Sequence, residues 1–560
     1  MTSVVTAGGI SVTIRGAVVD ESETVLDRLA SDGVPSSLTS RNAKLWGPDA
    51  APLAARRLGW LGLPETSRSL PARLAGPAEQ FRDAGLDRIV LAGAGGPVVA
   101  AEAIHRTFAE DEARGGPGAE LVVLDTTDPH EVSGVLAGGL DRTLVVVVGD
   151  DIEAQALRRV FGRAFSEAGL DREELARRFV VVAEPGSAPE RAAREVGHHF
   201  VEAETDVDGR YGALGTAALV PAALAGVDVL ALLDDANRLA GVLRQPYDNP
   251  ALAFGAALGS SALGGRDKLV VADHGSGLHG FAGWAEQLVA GALGKDGRGL
   301  LPVVVEGVES PGFELTGDLR RVILGRRPDE PGPGREAGVS VTGPLGAQFL
   351  LWEYATAVAA RVMGVDPFAE PDVGESREST AALLRSEEGA APTVVRRPPA
   401  LVSDAVEVHA PEEALRGAKT LTEALEAVLE DVPDRGYLAV LAYLDRSGDA
   451  SAAGLRPLLA ARSAKLRRHP APVTFGWGPR YLHATGQYHK GGPRNGTFLQ
   501  VTGAVTADVP VPGRPYTLGE LQLAQAFGDQ RVLRSLGRPT FRLHLRDRAE
   551  GIAQLAEALA

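Results

Sequence analysis

From Leu86 onward the chain repeats one pattern: an apolar run of four to six residues, a turn, then an amphipathic helical stretch. Arg88–Ala92 leads through a glycine-rich turn to Val99–Phe108, Leu121–Leu124 to His130–Leu136, Thr143–Val148 to Ile152–Ala168, and Phe179–Val182 to Ala188–Val196. Strands this short and this uniformly apolar must be buried on both faces. The pattern therefore dictates βαβ units, a parallel sheet with helices on each side. A second unit of the same kind starts near Tyr247. Its predicted strands are Lys268–Ala272, Leu301–Val305 and Arg321–Leu324, and its helices Pro250–Leu263, Gly280–Leu293 and Gly346–Val362.

At 560 residues the chain is too long for one core, and the usual ~100–200 residues per domain gives three or four. Residues 1–75, with a short strand at Ile10–Arg15, read as an N-terminal cap. The first α/β lobe is expected over 76–240 and the second over 241–392. Arg326–Arg335, rich in Pro and Gly, reads as a surface loop and Pro392–Pro399 as a linker. Residues 393–560 form a smaller α/β C-terminal region, with helix Thr420–Leu429, strand Tyr437–Leu444, helix Ala453–Ala464 and strand-rich sequence to His544.

Composition narrows the function classes. Hydrophobic content of 44% and charged content of 23% are those of an ordinary globular protein. No apolar run approaches the ~20 residues of a bilayer-spanning helix, and no basic-then-apolar leader follows Met1. The expectation is a cytoplasmic protein without membrane attachment. Zero cysteines remove disulfides, thiolate nucleophiles and Cys-ligated zinc. A net charge of −16 argues against nucleic acid, whose binders cluster Lys and Arg to displace counterions. Here only Arg462–Arg468 is a short basic cluster, so an anionic substrate would need a local positive pocket set against an unfavourable global field.

Several motifs are more specific. Gly280-Phe-Ala-Gly-Trp-Ala-Glu-Gln-Leu-Val-Ala-Gly-Ala-Leu-Gly-Lys295 resembles the helix that carries the base in phosphoglucose isomerases. Asp208-Gly-Arg-Tyr211 is similar to their Gly-Gly-Arg-Tyr/Phe-Ser signature. Trp352-Glu-Tyr-Ala-Thr-Ala-Val358, Gly364-Val-Asp-Pro-Phe368 and Pro371-Asp-Val373 resemble the segment preceding their substrate-binding C-terminal helix. Gly478-Pro-Arg-Tyr-Leu-His-Ala-Thr-Gly-Gln-Tyr-His-Lys-Gly-Gly492 resembles the tail of the long isomerases fused to transaldolase in some bacteria. The resemblance runs from about Leu86 to about Leu545. It implies two doubly wound sugar isomerase (SIS) lobes, a homodimer, and interconversion of glucose 6-phosphate and fructose 6-phosphate through an enediol. No cofactor and no metal is expected.

That reaction needs a phosphate cradle, a carboxylate to carry the proton between C1 and C2, a cation near the oxyanion, and acid–base help for ring opening. The resemblance places substrate-binding positions at Gly95, Gly96, Gly209, Arg210, Gln287, Glu370 and Arg377. It places the base at Gly291, which has no side chain to accept a proton. Glu286, five residues earlier and about 140° round the helix, is not a direct substitute. Where the family has a Ser/Thr-rich phosphate loop, this chain has Gly149-Asp-Asp-Ile-Glu153. Carboxylates facing a phosphate dianion repel it by several kcal/mol at an effective dielectric of ~20; alternatively Asp150 or Asp151 simply caps a helix. Pro97 replaces a serine near the substrate, removing a hydroxyl and an N–H. Glu370 stands where the family has glutamine, Arg377 where it has lysine, and only Gly346 and Ala347 where a ring-opening histidine is expected.

Retained candidates for catalysis or anion binding are Arg210, Arg377, His483, His489 and Lys490. Arg210 could equally pair with Asp206 or Asp208. The close spacing of His483, Gln487, His489 and Lys490 suits an anionic ligand, a partner, or merely loop structure. Asp273-His274, at a strand's carboxyl end, and His279 are secondary candidates. Two readings stand: an isomerase whose activity is weak or lost, or a non-catalytic protein that binds a sugar phosphate or a partner enzyme and regulates carbon flux.

Overall fold

The computed structural model describes residues 1–110, 118–314, 316–327, 337–385 and 398–560. Most of the expected Arg326–Arg335 loop and Pro392–Pro399 linker lies outside these residues. The strands, in chain order, are β1 (Thr2–Ala7), β2 (Ile10–Arg15), β3 (Arg88–Ala92), β4 (Glu120–Leu124), β5 (Thr143–Val148), β6 (Phe179–Ala183), β7 (His199–Glu202), β8 (Lys268–His274), β9 (Leu301–Val305), β10 (Leu319–Gly325), β11 (Gly338–Thr342), β12 (Leu401–Ser403), β13 (Val406–His409), β14 (Tyr437–Tyr443), β15 (Val473–Trp477), β16 (Gly496–Gly503) and β17 (Thr540–Leu545).

These strands build three sheets. The first is parallel throughout, in the order β4-β3-β5-β6-β7. Its middle strands β3, β5 and β6 are buried along their whole length, as their unbroken apolar sequence requires. The second runs β1-β2-β11-β10-β8-β9. Its four later strands are parallel, and the N-terminal hairpin β1–β2 adds to β11 antiparallel. Residues 1–75, read from sequence as a cap, thus supply two strands of that sheet.

The third sheet, β12-β13-β17-β16-β14-β15, repeats the second one's plan. Four parallel strands follow the same winding, and a leading hairpin, β12–β13, joins the last of them antiparallel. Faces of the second and third sheets share one core, in which Val270, Leu301 and Val303 meet Tyr437, Leu441 and Tyr443. The largest core joins the first two lobes. At its centre the largely apolar and buried helices Pro250–Leu263 and Leu345–Met363 pack at backbone distance. A Cβ on Gly255 or Gly259 would sit 2.6 Å from Val358 or Val362, so glycine is what lets them approach.

Candidate functional site

The carboxyl ends of β3, β5, β6 and β7 open onto a cavity of about 570 Å³, where parallel sheets of this order place their ligands. One wall is made by the turn Gly93–Pro97 after β3 and the loop Gly149–Asp151 after β5. The opposite wall brings together Gly291, Glu370 and Arg377 from the second lobe and its following helix, and His483, Ala484 and Gln487 from the C-terminal region. Gly209 and Arg210 form the floor between them. The turn presses onto that floor: a Cβ on Gly96 would lie 2.5 Å from the Gly209 carbonyl.

Arg210 is 5% exposed and all five of its N–H donors are occupied. Nε and Nη2 clamp Asp208 at 2.8 Å each, Nη2 also reaches the Phe368 carbonyl (2.6 Å), and Nη1 reaches the carbonyls of Gly291 (2.9 Å) and Ala369 (3.3 Å). Burial opposes the charge on Asp208, but Arg210 overrides it and holds that carboxyl below its ordinary value. Glu370 adds an ion pair at 3.7 Å. The place a side chain at Gly291 would fill is taken: a Cβ there would meet Arg210 Cδ at 2.9 Å. Of the two pairings left open in the sequence, Arg210 makes the one with Asp208.

The loop after β5 is acidic and turned toward the cavity. Asp151 caps the helix Ile152–Glu167, accepting from the Ala154 N–H at 2.7 Å. Burial first, and the neighbouring Glu153 second, push its carboxyl up to about 7. Glu153 is 1% exposed and accepts from His483 Nε2 at 3.1 Å and from Gln525 at 2.6 Å. Burial works against its charge, yet His483 keeps it ionised and below its ordinary value. In return, and again against burial, Glu153 holds the His483 imidazole above its usual range. Asp150 is exposed and takes a hydrogen bond from Gln155 at 2.9 Å. Glu204, also in the wall, accepts from the Thr216 amide and hydroxyl. The cations facing the cavity are Arg57 and Arg377, neither in an ion pair among the described residues, together with His483.

Of the sequence candidates, Gly95, Gly96, Gly209, Arg210, Gly291, Glu370, Arg377 and His483 meet here. Gln287 does not line the cavity and is buried in its helix. The run His483–Lys490 is divided. His483 and Gln487 face the cavity, Gln487 also bridging Asp372 and the Gly294 carbonyl. His489 is buried against Tyr437, whose hydroxyl lies 3.0 Å from its Nδ1, and Lys490 pairs with Asp529 at 2.6 Å in the interior. The secondary candidates lie elsewhere: His274 bonds the Arg326 carbonyl and His279 pairs with Glu110. Glu286 is pushed up to about 8 by burial, with Arg480 opposing, and is not in the wall. Among the described residues no group of His, Cys, Asp and Glu is placed to hold a metal. The acidic loop named from sequence includes Glu153, but its pairing with His483 was not legible there, and Glu204 was missed. The available signal for Glu153 was a carboxylate in the first turn of a helix whose same face is otherwise apolar.

No family model matches the chain. Among curated proteins it is 31% identical over 327 residues to a probable glucose-6-phosphate isomerase of Haloarcula marismortui, covering 54% of this chain and 71% of that one. It is 28% identical over 387 residues to a glucose-6-phosphate isomerase of Rubrobacter xylanophilus, covering 58% and 89%. Among solved structures, a hypothetical protein from Thermus thermophilus superposes with a TM-score of 0.56 at 20% identity, over 69% of this chain and all of that one. A glucose-6-phosphate isomerase from Chlamydia trachomatis gives 0.52 at 16% identity, over 70% and 92%. These structures share the fold. No helix among the described residues is long and apolar enough to cross a membrane.

Proposed function

The chain belongs to the glucose-6-phosphate isomerase family, and on that premise we propose that its cavity binds a sugar or sugar phosphate while its own isomerase activity is weak or lost. One observation carries this reading. The resemblance puts the family's base position at Gly291, and the space beside that glycine is filled by an Arg210 with no donor to spare. Losing a general base costs roughly 10²–10⁴-fold in rate. The acidic loop adds to this, since Asp150 and Asp151 stand where a phosphate dianion would be cradled. Binding is supported by Gly95, which faces open space, and by the guanidinium groups of Arg57 and Arg377, which no carboxylate neutralises among the described residues.

A coupled assay of fructose 6-phosphate to glucose 6-phosphate with the purified full chain tests the proposal. We expect turnover well below the ~1–10³ s⁻¹ usual for enzymes. Turnover inside that range would overturn it. Thermal shift with either sugar phosphate tests binding separately.

A second reading is favoured by Asp151, a carboxyl poised near 7 in the cavity wall, where a general base works best at neutral pH. In that reading the chain is an active isomerase with a rebuilt site. Its mark would be a rate that survives Glu370→Gln but not Asp151→Asn. By family resemblance we also propose a cytoplasmic homodimer, with lobes over 76–240 and 241–392, and a partner enzyme as the alternative ligand of a regulatory role.

A further inference from the structure

The C-terminal sheet carries a cavity of its own, about 370 Å³, at the carboxyl ends of β14, β16 and β17 and under the helix Leu518–Ser535. This is the corresponding place to the first lobe's cavity, the end of a parallel sheet where ligands bind, and its volume suits a small metabolite. The strands alternate. Phe541, Leu543 and Leu545 enter the hydrophobic core, while Arg542 and His544 of β17 and Thr502 of β16 face the cavity.

Arg542 is 4% exposed. Its Nη1 donates to Thr502 Oγ1 at 3.3 Å and its guanidinium lies 5.1 Å from the Phe527 ring. Among the described residues it makes no ion pair, and its other donors meet no protein acceptor. Those donors open into the cavity rather than being sealed in the core, so an anion entering it can occupy the fork. Two imidazoles flank it. His544 Nδ1 is 3.1 Å from Thr502 Oγ1, and His409 Nε2 is 3.3 Å from Glu407. Burial, then the charge of Arg542, lowers both, His544 to about 4, so they are neutral hydrogen-bonding groups at pH 7.

The carboxylates of the rim are committed. Asp508 accepts from Thr517 Oγ1 (2.6 Å) and the Gly519 amide (2.9 Å), and Glu520 closes the capping box with Thr517. Glu407 pairs with Arg546, hydrogen-bonds the neutral His409, and its charge also bears on Arg542. Among the residues lining the cavity Arg542 carries the one full positive charge, and its planar fork matches a monoanion with two coplanar oxygens, while the rim carboxylates disfavour a dianion.

We infer that this cavity is a second ligand site, in which Arg542 holds the carboxylate of a small organic acid with His409 and His544 as neutral hydrogen-bonding partners. Titration calorimetry on the full chain, with the monocarboxylates pyruvate, L-lactate and glycolate against inorganic phosphate, tests it. At least one organic acid should bind with a dissociation constant below about 1 mM, an order-of-magnitude threshold for a specific metabolite site. Arg542→Gln and Arg542→Lys should each weaken it at least about tenfold, because lysine keeps the charge without the planar fork. Thr502→Val, which leaves the cation in place, should weaken it less, and Arg377→Gln, in the first-lobe cavity, should not alter it. Absence of binding by all three acids overturns the inference. So does binding that survives Arg542→Gln, or preference for phosphate lost in that variant.

Discussion

Replacing Asp151 by asparagine keeps an oxygen to accept the Ala154 N–H, since the two residues cap helices about equally well, but removes the carboxyl. In the folded protein that carboxyl is raised from 3.8 to about 7. A group raised on folding contributes stability that is present below its unfolded value and is lost as pH climbs through its folded value. The wild type should therefore lose stability at this site between about pH 4 and pH 8. At 1.36 kcal/mol per pH unit the full loss is about 4 kcal/mol. Partial exposure and the opposite shift of the neighbouring Glu153 reduce it to about 2 kcal/mol. Urea unfolding of the wild type and Asp151→Asn at pH 4, 6 and 8 measures it. The variant should gain about 2 kcal/mol on the wild type across that span. A difference that stays flat with pH would refute the claim that Asp151 is held near neutrality in the wall.

Three further outcomes follow from the same packing. Gly291→Ala places a methyl 2.9 Å from Arg210 Cδ, and because five hydrogen bonds hold Arg210, overpacking should cost about 1–3 kcal/mol in chemical denaturation. Lys490→Met leaves Asp529 charged and buried, with only the Tyr481 and Ser376 hydroxyls donating to it among the described residues, and should cost about 3–5 kcal/mol in chemical denaturation. Glu153→Gln removes the carboxylate that holds His483 above its ordinary value, so an NMR titration of His483 should shift to lower pH.

Much of the fold was legible because its strands advertise themselves. β3, β5 and β6 are unbroken apolar runs, and their burial follows from sequence alone. What escaped was pairing at a distance: nothing in Ile10–Arg15 says that its partner is Gly338–Thr342. The site divides the same way. Gly291 and the acidic loop could be located by motif, whereas the ion pair of His483 with Glu153 joins residues 330 apart. Close spacing also misled at His483–Lys490. A short helix over Gly486–Gly491 turns His489 and Lys490 inward, so neighbours in sequence serve the cavity and the interior separately.

The shared plan of the second and third sheets has a consequence for how the chain folds. In the third, β13 ends at His409 and its partner β17 begins at Thr540, so the hairpin also waits for the last strand, but only across the C-terminal region itself. In the second, the whole first lobe is inserted between β2 and β8, and β2 must wait for β11 before its edge is covered. During synthesis from the ribosome that hairpin is an unpaired strand edge for more than half of translation, the condition in which chains mispair or recruit chaperones. The C-terminal hairpin waits in the same way, but over a much shorter stretch of chain.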